Sequence, residues 1–324
     1  MNRQIKRIIG FLGLGTAGML SSCSQLFSEK LPHETTPSFV LMETNSERVL
    51  RAQNANERRP VGMLANIATA VVAIDWKTQK NISLDTLLTV PSIACRWPET
   101  NLLHLRPGDR ISLRDALHST LMWDDSAAAT TLAVACGSTL NPADPADSFL
   151  QEMNKLATAI GMTQTTFKGV NGAVRSTACA RDIALLGMYA IQKPLVQTIC
   201  SKPTYTATVH APTGARNVVI QNTNQMLGNH GVDGVRSAAS ASAGFCTVAS
   251  AKRSSYKTLN TAKDKPATYA QRLLLVILGM PSAATRDTAA ARLLSDGWTE
   301  WEGWYNSLTP QTKSPENMFI RLPK

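Results

Sequence analysis

Residues 272–280 read RLLLVILGM, a continuous apolar run with the length of one buried β-strand. Towards the other end of the sequence, residues 38–42 (SFVLM) and 48–52 (RVLRA) have strand patterns and flank a short polar turn. Residues 218–220 and 244–252 are also predicted as strands. The strands come from both ends of the chain, which predicts a sheet assembled from both termini.

Helical patterns fill the sequence between these strands. Apolar residues at positions 63, 67, 71 and 74 recur at helical spacing and predict a helix that ends near Asp75. Further helices are predicted over residues 112–136 (broken at 123–126), 149–160, 178–192 (capped by Ser176 and Thr177) and 283–294. The expected fold class is α/β, an antiparallel sheet of about five strands flanked by helices, with an all-helical lobe over about residues 84–202.

The N-terminus has the features of an export signal. Residues 2–7 carry three positive charges and no acid, and the apolar run 8–20 is too short to span a bilayer. The run leads into Leu-Ser-Ser-Cys ending at Cys23, which resembles the lipobox of bacterial lipoproteins, whose cysteine receives a lipid. We predict a signal peptide over residues 1–22 and a lipid-attached tether over 23–36. An ordinary secretory signal with a chance cysteine is the alternative.

These features predict a lipid-anchored protein on the periplasmic face of the cell envelope. By resemblance to enterobacterial sorting, Ser24 favours the outer membrane over the inner one. Loss of residues 1–22 removes Arg3, Lys6 and Arg7, so the formal charge falls from +10 to +7. No basic stripe interleaved with aromatic residues is present, and nucleic acid is not an expected partner.

The composition is that of a globular chain without a metal site. Its 324 residues, 44% of them hydrophobic, suffice for one large domain or two small ones. The cysteines after Cys23 match no metal-ligand spacing, and no metal or other cofactor is expected; they are Cys95, Cys136, Cys179, Cys200 and Cys246. Cys136 and Cys179 lie in Ala-rich helical patterns and are predicted to be buried.

Four segments carry distinctive motifs: residues 105–115 (LRPGDRISLRD), 176–185 (STACARDIAL), 222–227 (NTNQML) and 232–253 (VDGVRSAASASAGFCTVASAKR). Together they resemble the D-alanyl-D-alanine carboxypeptidases, the low-molecular-mass penicillin-binding proteins of the β-lactamase-like superfamily. The resemblance implies a DD-peptidase-like domain over residues 37–300 and a C-terminal tail over 301–324. Near that boundary, four aromatic residues are predicted to pack on the domain: Trp298, Trp301, Trp304 and Tyr305.

The resemblance implies a catalytic serine and lysine, spaced Ser-x-x-Lys, at the start of the first core helix. This sequence has Met63 at the serine position and Asn66 at the lysine position, and a shifted register gives Gly62 and Ala65 instead. Residues 47–76 contain neither a serine nor a lysine. A thioether has no proton to lose and an amide is no general base, so neither register restores the nucleophile.

The other two motifs of the family are also altered. Ser-x-Asn aligns with Asp124 and Ser126. Lys-Thr-Gly aligns with Arg236, Ser237 and Ala238, which keeps a cation and a hydroxyl but crowds the strand where a substrate would lie. Losing a serine nucleophile costs roughly a millionfold in rate in the serine-protease comparison. We therefore expect a catalytically silent relative of the family.

Three other groups are candidate catalytic residues. Residues 254–257 (SSYK) match Ser-x-x-Lys, but they are predicted to lie in a turn beyond the cleft. Asp124 and Asp125 resemble a carboxylate pair, but adjacent helical residues point about 100° apart and do not face one site. The histidines are predicted to be surface or packing residues: His33, His104, His118, His210 and His230.

Three functions fit a degenerate site of this kind. The first is binding of a peptidoglycan stem peptide or another envelope ligand in the altered cleft. The second is an envelope scaffold that acts through contacts with another protein. The third is a residual serine-type carboxypeptidase or other hydrolase with remodelled chemistry, for example through Asp124. Arg236 and Ser237, which are able to receive a carboxylate, favour the first over the second, and the missing nucleophile counts against the third.

The altered motifs also predict a specific contact. By the resemblance, the second-motif serine faces the third-motif lysine across the cleft, and these positions hold Asp124 and Arg236. We predict an ion pair between them, within the usual limit of about 4 Å. Asn66 is predicted to form a hydrogen bond with one of the two.

Overall fold

The computed structural model describes the backbone of residues 37–260 and 265–307, and the side chains of all of these except 254–270. The predicted signal peptide, tether and lipid-bearing Cys23 lie outside the described residues. The strands are β1 (Ser38–Glu43), β2 (Val49–Gln53), β3 (Arg59–Pro60), β4 (Leu87–Thr89), β5 (Arg110–Ser112), β6 (Thr177–Ala178), β7 (Thr204–Ala211), β8 (Gly214–Gln221), β9 (Val232–Ser240), β10 (Gly244–Asn260) and β11 (Lys265–Met280). The helices are α1 (Asn66–Gln79), α2 (Leu113–Met122), α3 (Ser126–Gly137), α4 (Pro145–Ala159), α5 (Ala180–Ile191), α6 (Pro194–Cys200) and α7 (Ala283–Ser307).

Five strands form an antiparallel sheet in the order β2-β1-β11-β10-β9. Strand β11 lies at its centre, where Val276 is opposite Val40 of β1 and Val248 of β10. Val276 faces one hydrophobic core and Leu275 faces the other, so both sides of the strand are buried. This explains why the segment reads as a continuous apolar run without alternation. The predicted α/β fold class is confirmed.

Helix α7 covers one face of this sheet. Trp298, Trp301 and Tyr305 are buried there in the same core as Leu275. The packing predicted for these aromatic residues is therefore confirmed. The helix runs through residue 300, where the sequence suggested the end of the domain, and ends at Ser307.

Helices α1 to α6 form a lobe on the other face. Helix α1 lies within it, with Ile67 and Ile74 buried, and runs to Gln79 rather than ending near Asp75. The predicted break between α2 and α3 is confirmed, and Asp125 caps α3 by accepting a hydrogen bond from the Ala128 amide at 2.9 Å. Within the described ranges, no single helix is long and apolar enough to cross a membrane.

The lobe is not entirely helical, which corrects the sequence prediction. Strands β4, β5 and β6 lie within residues 84–202, and β4 and β5 join β7 and β8 in a second antiparallel sheet. Strands of two or three residues are too short to show an alternating pattern. The predicted cap of α5 was also wrong. The Cys179 thiol caps the helix by accepting a hydrogen bond from the Asp182 backbone amide at 3.5 Å, whereas the Ser176 hydroxyl accepts one from the Lys168 backbone amide.

Candidate functional site

Met63 lies on a 3₁₀ turn (Gly62–Ala65) that leads directly into α1. Its side chain is only 4% exposed, and its sulfur accepts a hydrogen bond from the Ser126 hydroxyl at 3.8 Å. The loop at Gly172 packs against it so closely that a Cβ at Gly172 would lie 2.3 Å from the Met63 Cα. The residue aligned with the family's catalytic serine is thus a thioether packed between α3 and a loop.

Asn66, the first residue of α1, is fully buried. Its side-chain oxygen accepts a hydrogen bond from the Gly172 amide at 2.9 Å. Its amide nitrogen has no hydrogen-bond partner among the described residues. The predicted hydrogen bond with Asp124 or Arg236 was therefore wrong, since the first turn of α1 holds the asparagine towards the Gly172 loop.

Asp124 and Arg236 form the predicted ion pair, with 2.6 Å between the Oδ1 and Nη2 atoms. The guanidinium is fully buried on β9 and also donates to the main-chain carbonyls of Leu121 at 3.0 Å, Trp123 at 2.9 Å and Thr120. These carbonyls lie at the end of α2, where the helix leaves acceptors unused and a cation is favourable. Arg236 thus joins the sheet to the lobe as a helix cap as well as an ion-pair partner.

The two neighbouring aspartates lie in different environments. Burial raises the pKa of the Asp124 carboxyl above its ordinary value, and the charge and hydrogen bond of Arg236 oppose that rise. Burial also raises the pKa of Asp125, opposed by hydrogen bonds from the Ala128 amide and the Ser119 hydroxyl. The two carboxylates do not face one site, as predicted, but the helical reason given for it was wrong, because both residues lie in the break between α2 and α3.

The third-motif strand is also closed in. The Ser237 hydroxyl lies 2.9 Å from that of Thr247 on β10, and Thr223 donates its hydroxyl proton to the Ser237 carbonyl. Ser237 and Ala238 are both buried. The hydroxyl kept at this position is therefore held inside the sheet by an internal partner.

The family profile described as D-alanyl-D-alanine carboxypeptidase matches residues 25–262. The chain belongs to this family. It is 26% identical to the D-alanyl-D-alanine carboxypeptidase of Streptomyces sp. (strain K15), over 87% of this chain and 96% of that protein. It is 29% identical to the D-alanyl-D-alanine carboxypeptidase DacC of Escherichia coli (strain K12), over 84% of this chain and 63% of that protein.

Solved structures show the same fold. The crystal structure of the Streptomyces K15 DD-transpeptidase matches with a TM-score of 0.70 and 24% identity, over 81% of this chain and 96% of that one. The D-alanyl-D-alanine carboxypeptidase DacD from Francisella tularensis matches with a TM-score of 0.65 and 22% identity, over 81% and 70%. The mixed α/β architecture is thus that of the DD-peptidases.

The degenerate motifs of this DD-carboxypeptidase relative come together in space in two groups. In the first group, Ser126 contacts Met63, and the Gly172 loop packs against Met63 and donates a hydrogen bond to Asn66. Asp124 pairs with Arg236 in the second group. Sequence reasoning missed the Gly172 loop, and the Asn-Gly pair at 171–172 was the one local signal of a tight turn there.

The other candidates lie elsewhere or are structural. Residues 254–257 belong to strand β10, so the predicted turn was wrong. His118 is buried as a packing residue, with its ring stacked on Tyr205 at a centroid distance of 3.6 Å. Cys136 and Cys179 are buried, as predicted, and the five described cysteines are free thiols. The described residues contain no cluster of metal-ligating side chains.

Proposed function

We propose that this protein is a catalytically silent member of the D-alanyl-D-alanine carboxypeptidase family that acts in the cell envelope through contacts with other proteins. The observation that carries the proposal is the set of partners of Arg236. This cation stands at the position of the motif lysine, and its guanidinium is already occupied by Asp124 and by three main-chain carbonyls. The Arg236 side chain is fully buried.

The chemistry at the nucleophile position supports the same proposal. The Ser126 hydroxyl contacts that position and donates to the thioether of Met63. A thioether is only a weak acceptor and does not remove a proton, so this contact does not activate the serine. Asn66, at the position of the family's lysine, offers an amide instead of a base.

The packing also favours protein contacts over binding of a stem peptide in the cleft. The sequence favoured ligand binding because Arg236 and Ser237 are able to receive a carboxylate. Both groups have internal partners, and freeing Arg236 would break an ion pair whose cation is fully buried, which is destabilising. A peptide would therefore compete with contacts that hold the fold together.

The activity proposal is tested with a peptide that ends in D-alanyl-D-alanine. We expect no release of D-alanine and no heat of binding from the purified full chain, with DacC of Escherichia coli as the positive control. The matched variant Ser126→Ala sets the background. Release that exceeds this background, or saturable binding that Arg236→Met abolishes, would overturn the proposal.

We also propose that the protein is lipid-anchored at Cys23, on the basis of the sequence preceding it. The Cys23→Ser variant should lose incorporation of labelled palmitate and leave the membrane fraction. Cys95→Ser is the matched control, since that thiol lies in the folded domain, and it should behave as the unaltered chain. Retention of Cys23→Ser on membranes after a high-salt wash would contradict the anchor.

A further inference from the structure

Strand β8 forms an open edge of the second sheet, whose order is β4-β5-β7-β8. It pairs with β7 over its full length without a register shift, from Thr204 opposite Gln221 to Ala211 opposite Gly214. In an antiparallel pair, alternate residues direct their N–H and C=O groups away from the partner strand. No backbone hydrogen bond joins β8 to any other described element. One full edge of main-chain donors and acceptors is therefore free.

β8 lacks the features by which edge strands avoid pairing with other chains, namely proline, a bulge or an outward charge. Its one charged side chain, Arg216, donates to the carbonyl oxygens of Leu103 and His104, both at 2.7 Å. The side chains on the solvent face are uncharged and exposed: Ala215, Asn217, Val219 and Gln221. The solvent face of this edge is thus uninterrupted and uncharged.

The other edge strands of the two sheets have features that hinder pairing with another chain. On β2, Arg51 is tied to Asp296 of α7 at 2.7 Å, and the pairing of β2 with β1 shifts register. On β9, the Thr223 side chain already donates to the carbonyl of Ser237. Strand β4 has only three residues. The hairpin of β10 and β11 also extends beyond its neighbouring strands, but its pairing shifts register between Arg253 and Tyr256, and it contains Lys257 and Pro266. Of the long edges among the described strands, β8 is thus the one without such a feature.

We propose that β8 pairs antiparallel with β8 of a second copy of this chain, joining the two small sheets into one. Any register centred on a residue of β8 places solvent-facing residues opposite each other, and we consider the two near the middle of the strand, centred on Asn217 and on Val218. In neither register does Arg216 face its counterpart. The chain carries a formal charge of +10, so an uncharged contact avoids repulsion between two basic copies. The inference holds whether or not the cleft is catalytically silent.

Sedimentation velocity of the purified full chain, in density-matched detergent over a range of concentrations, tests the proposal. We expect a concentration-dependent dimer of the unaltered chain. The double variant Asn217→Lys/Val219→Lys places like charges across the two-fold axis and should weaken the dimer at least tenfold. Val49→Lys on β2 is the matched control, because Val49 is 50% exposed and Val219 is 53% exposed. This control should dimerise as the unaltered chain does.

A monomer at every concentration would overturn the proposal, as would a dimer that the β8 double variant leaves intact. Hydrogen exchange distinguishes self-association through β8 from pairing of β8 with a different partner. The β8 amides should exchange more slowly in the dimer than in the double variant. If they are protected only after addition of an extended peptide of unrelated sequence, the edge serves a different partner and the proposed self-association is wrong.

Discussion

Arg236 aligns with the lysine of the family's third motif and makes two kinds of contact, an ion pair and a helix cap. Its planar fork pairs with Asp124 and caps the end of α2, which a compact ammonium would do less well. Ionising Asp124 at this site nevertheless costs free energy, because burial raises the pKa of its carboxyl even with the cation beside it. Removing Asp124 would leave a fully buried cation without its counterpart, and removing Arg236 would leave a partly buried carboxylate without its own.

A double-mutant cycle with Asp124→Ala and Arg236→Ala measures this coupling. We expect Arg236→Ala to lower the free energy of unfolding by about 3 kcal/mol, because it leaves a partly buried carboxylate and the carbonyls at the end of α2 without their cation. The coupling energy from urea unfolding should exceed that of the exposed pair Lys155–Glu152, where about 0–1 kcal/mol is usual. A coupling energy no larger than that of the exposed pair would contradict the role given to Arg236.

His118 should make the stability of the fold depend on pH. Burial lowers the pKa of its ring to about 4, although the hydrogen bond to the Arg114 carbonyl opposes that shift. The ring stays neutral in the folded chain but gains a proton in the unfolded chain below its ordinary value of 6.5. Its contribution to stability is therefore present above pH 6.5 and is lost as the pH falls to about 4.

This loss amounts to about 1.4 kcal/mol per pH unit within that window. Urea unfolding of the unaltered chain and of His118→Gln between pH 7.5 and pH 4.5 should show the steeper fall in the unaltered chain. Equal slopes, or an NMR titration of the His118 ring close to its ordinary pKa, would count against the assignment.

At the scale of elements, the Gly172 loop closes the site by packing against the turn before α1. A side chain at Gly172 would collide with the main chain of Met63 and not merely with a flexible side chain. Gly172→Ala should therefore lower the free energy of unfolding by about 1–3 kcal/mol through overpacking. Gly303→Ala in α7 is the control, since no atom lies within 4 Å of a Cβ there, and helical alanine is favourable. Equal unfolding temperatures of Gly172→Ala and Gly303→Ala would show that the Gly172 loop accommodates the added methyl group without loss of stability.

The elements differ in how well the sequence predicted them. Strand β11 was predictable because burial on both faces leaves a continuous apolar run, and the break between α2 and α3 because polar residues interrupt an apolar pattern. Strands β4 and β5 were not, because three residues show no periodicity. The Asp124–Arg236 pair followed from opposite charges at two aligned positions, whereas the partner of Asn66 depended on a loop whose path the sequence does not specify.

At the scale of the whole molecule, the DD-peptidase fold is kept, and the residues aligned with its catalytic motifs are packed as core. Met63, Asn66 and Ser126 are buried, and Arg236 ties β9 to the end of α2. Restoring the first motif alone would leave that tie and Ala238 in place. The double variant Met63→Ser/Asn66→Lys should therefore recover little activity, and appreciable D-alanine release from it would show a more open cleft than this packing allows.

Covalent labelling with a fluorescent penicillin most directly tests the proposal that the site is catalytically silent. An acyl-enzyme requires a nucleophile where Met63 lies, and a thioether does not provide one. We expect no fluorescence on the purified full chain after denaturing electrophoresis, under conditions that label DacC of Escherichia coli. Fluorescence that survives denaturation and maps to any serine of this chain would contradict the account.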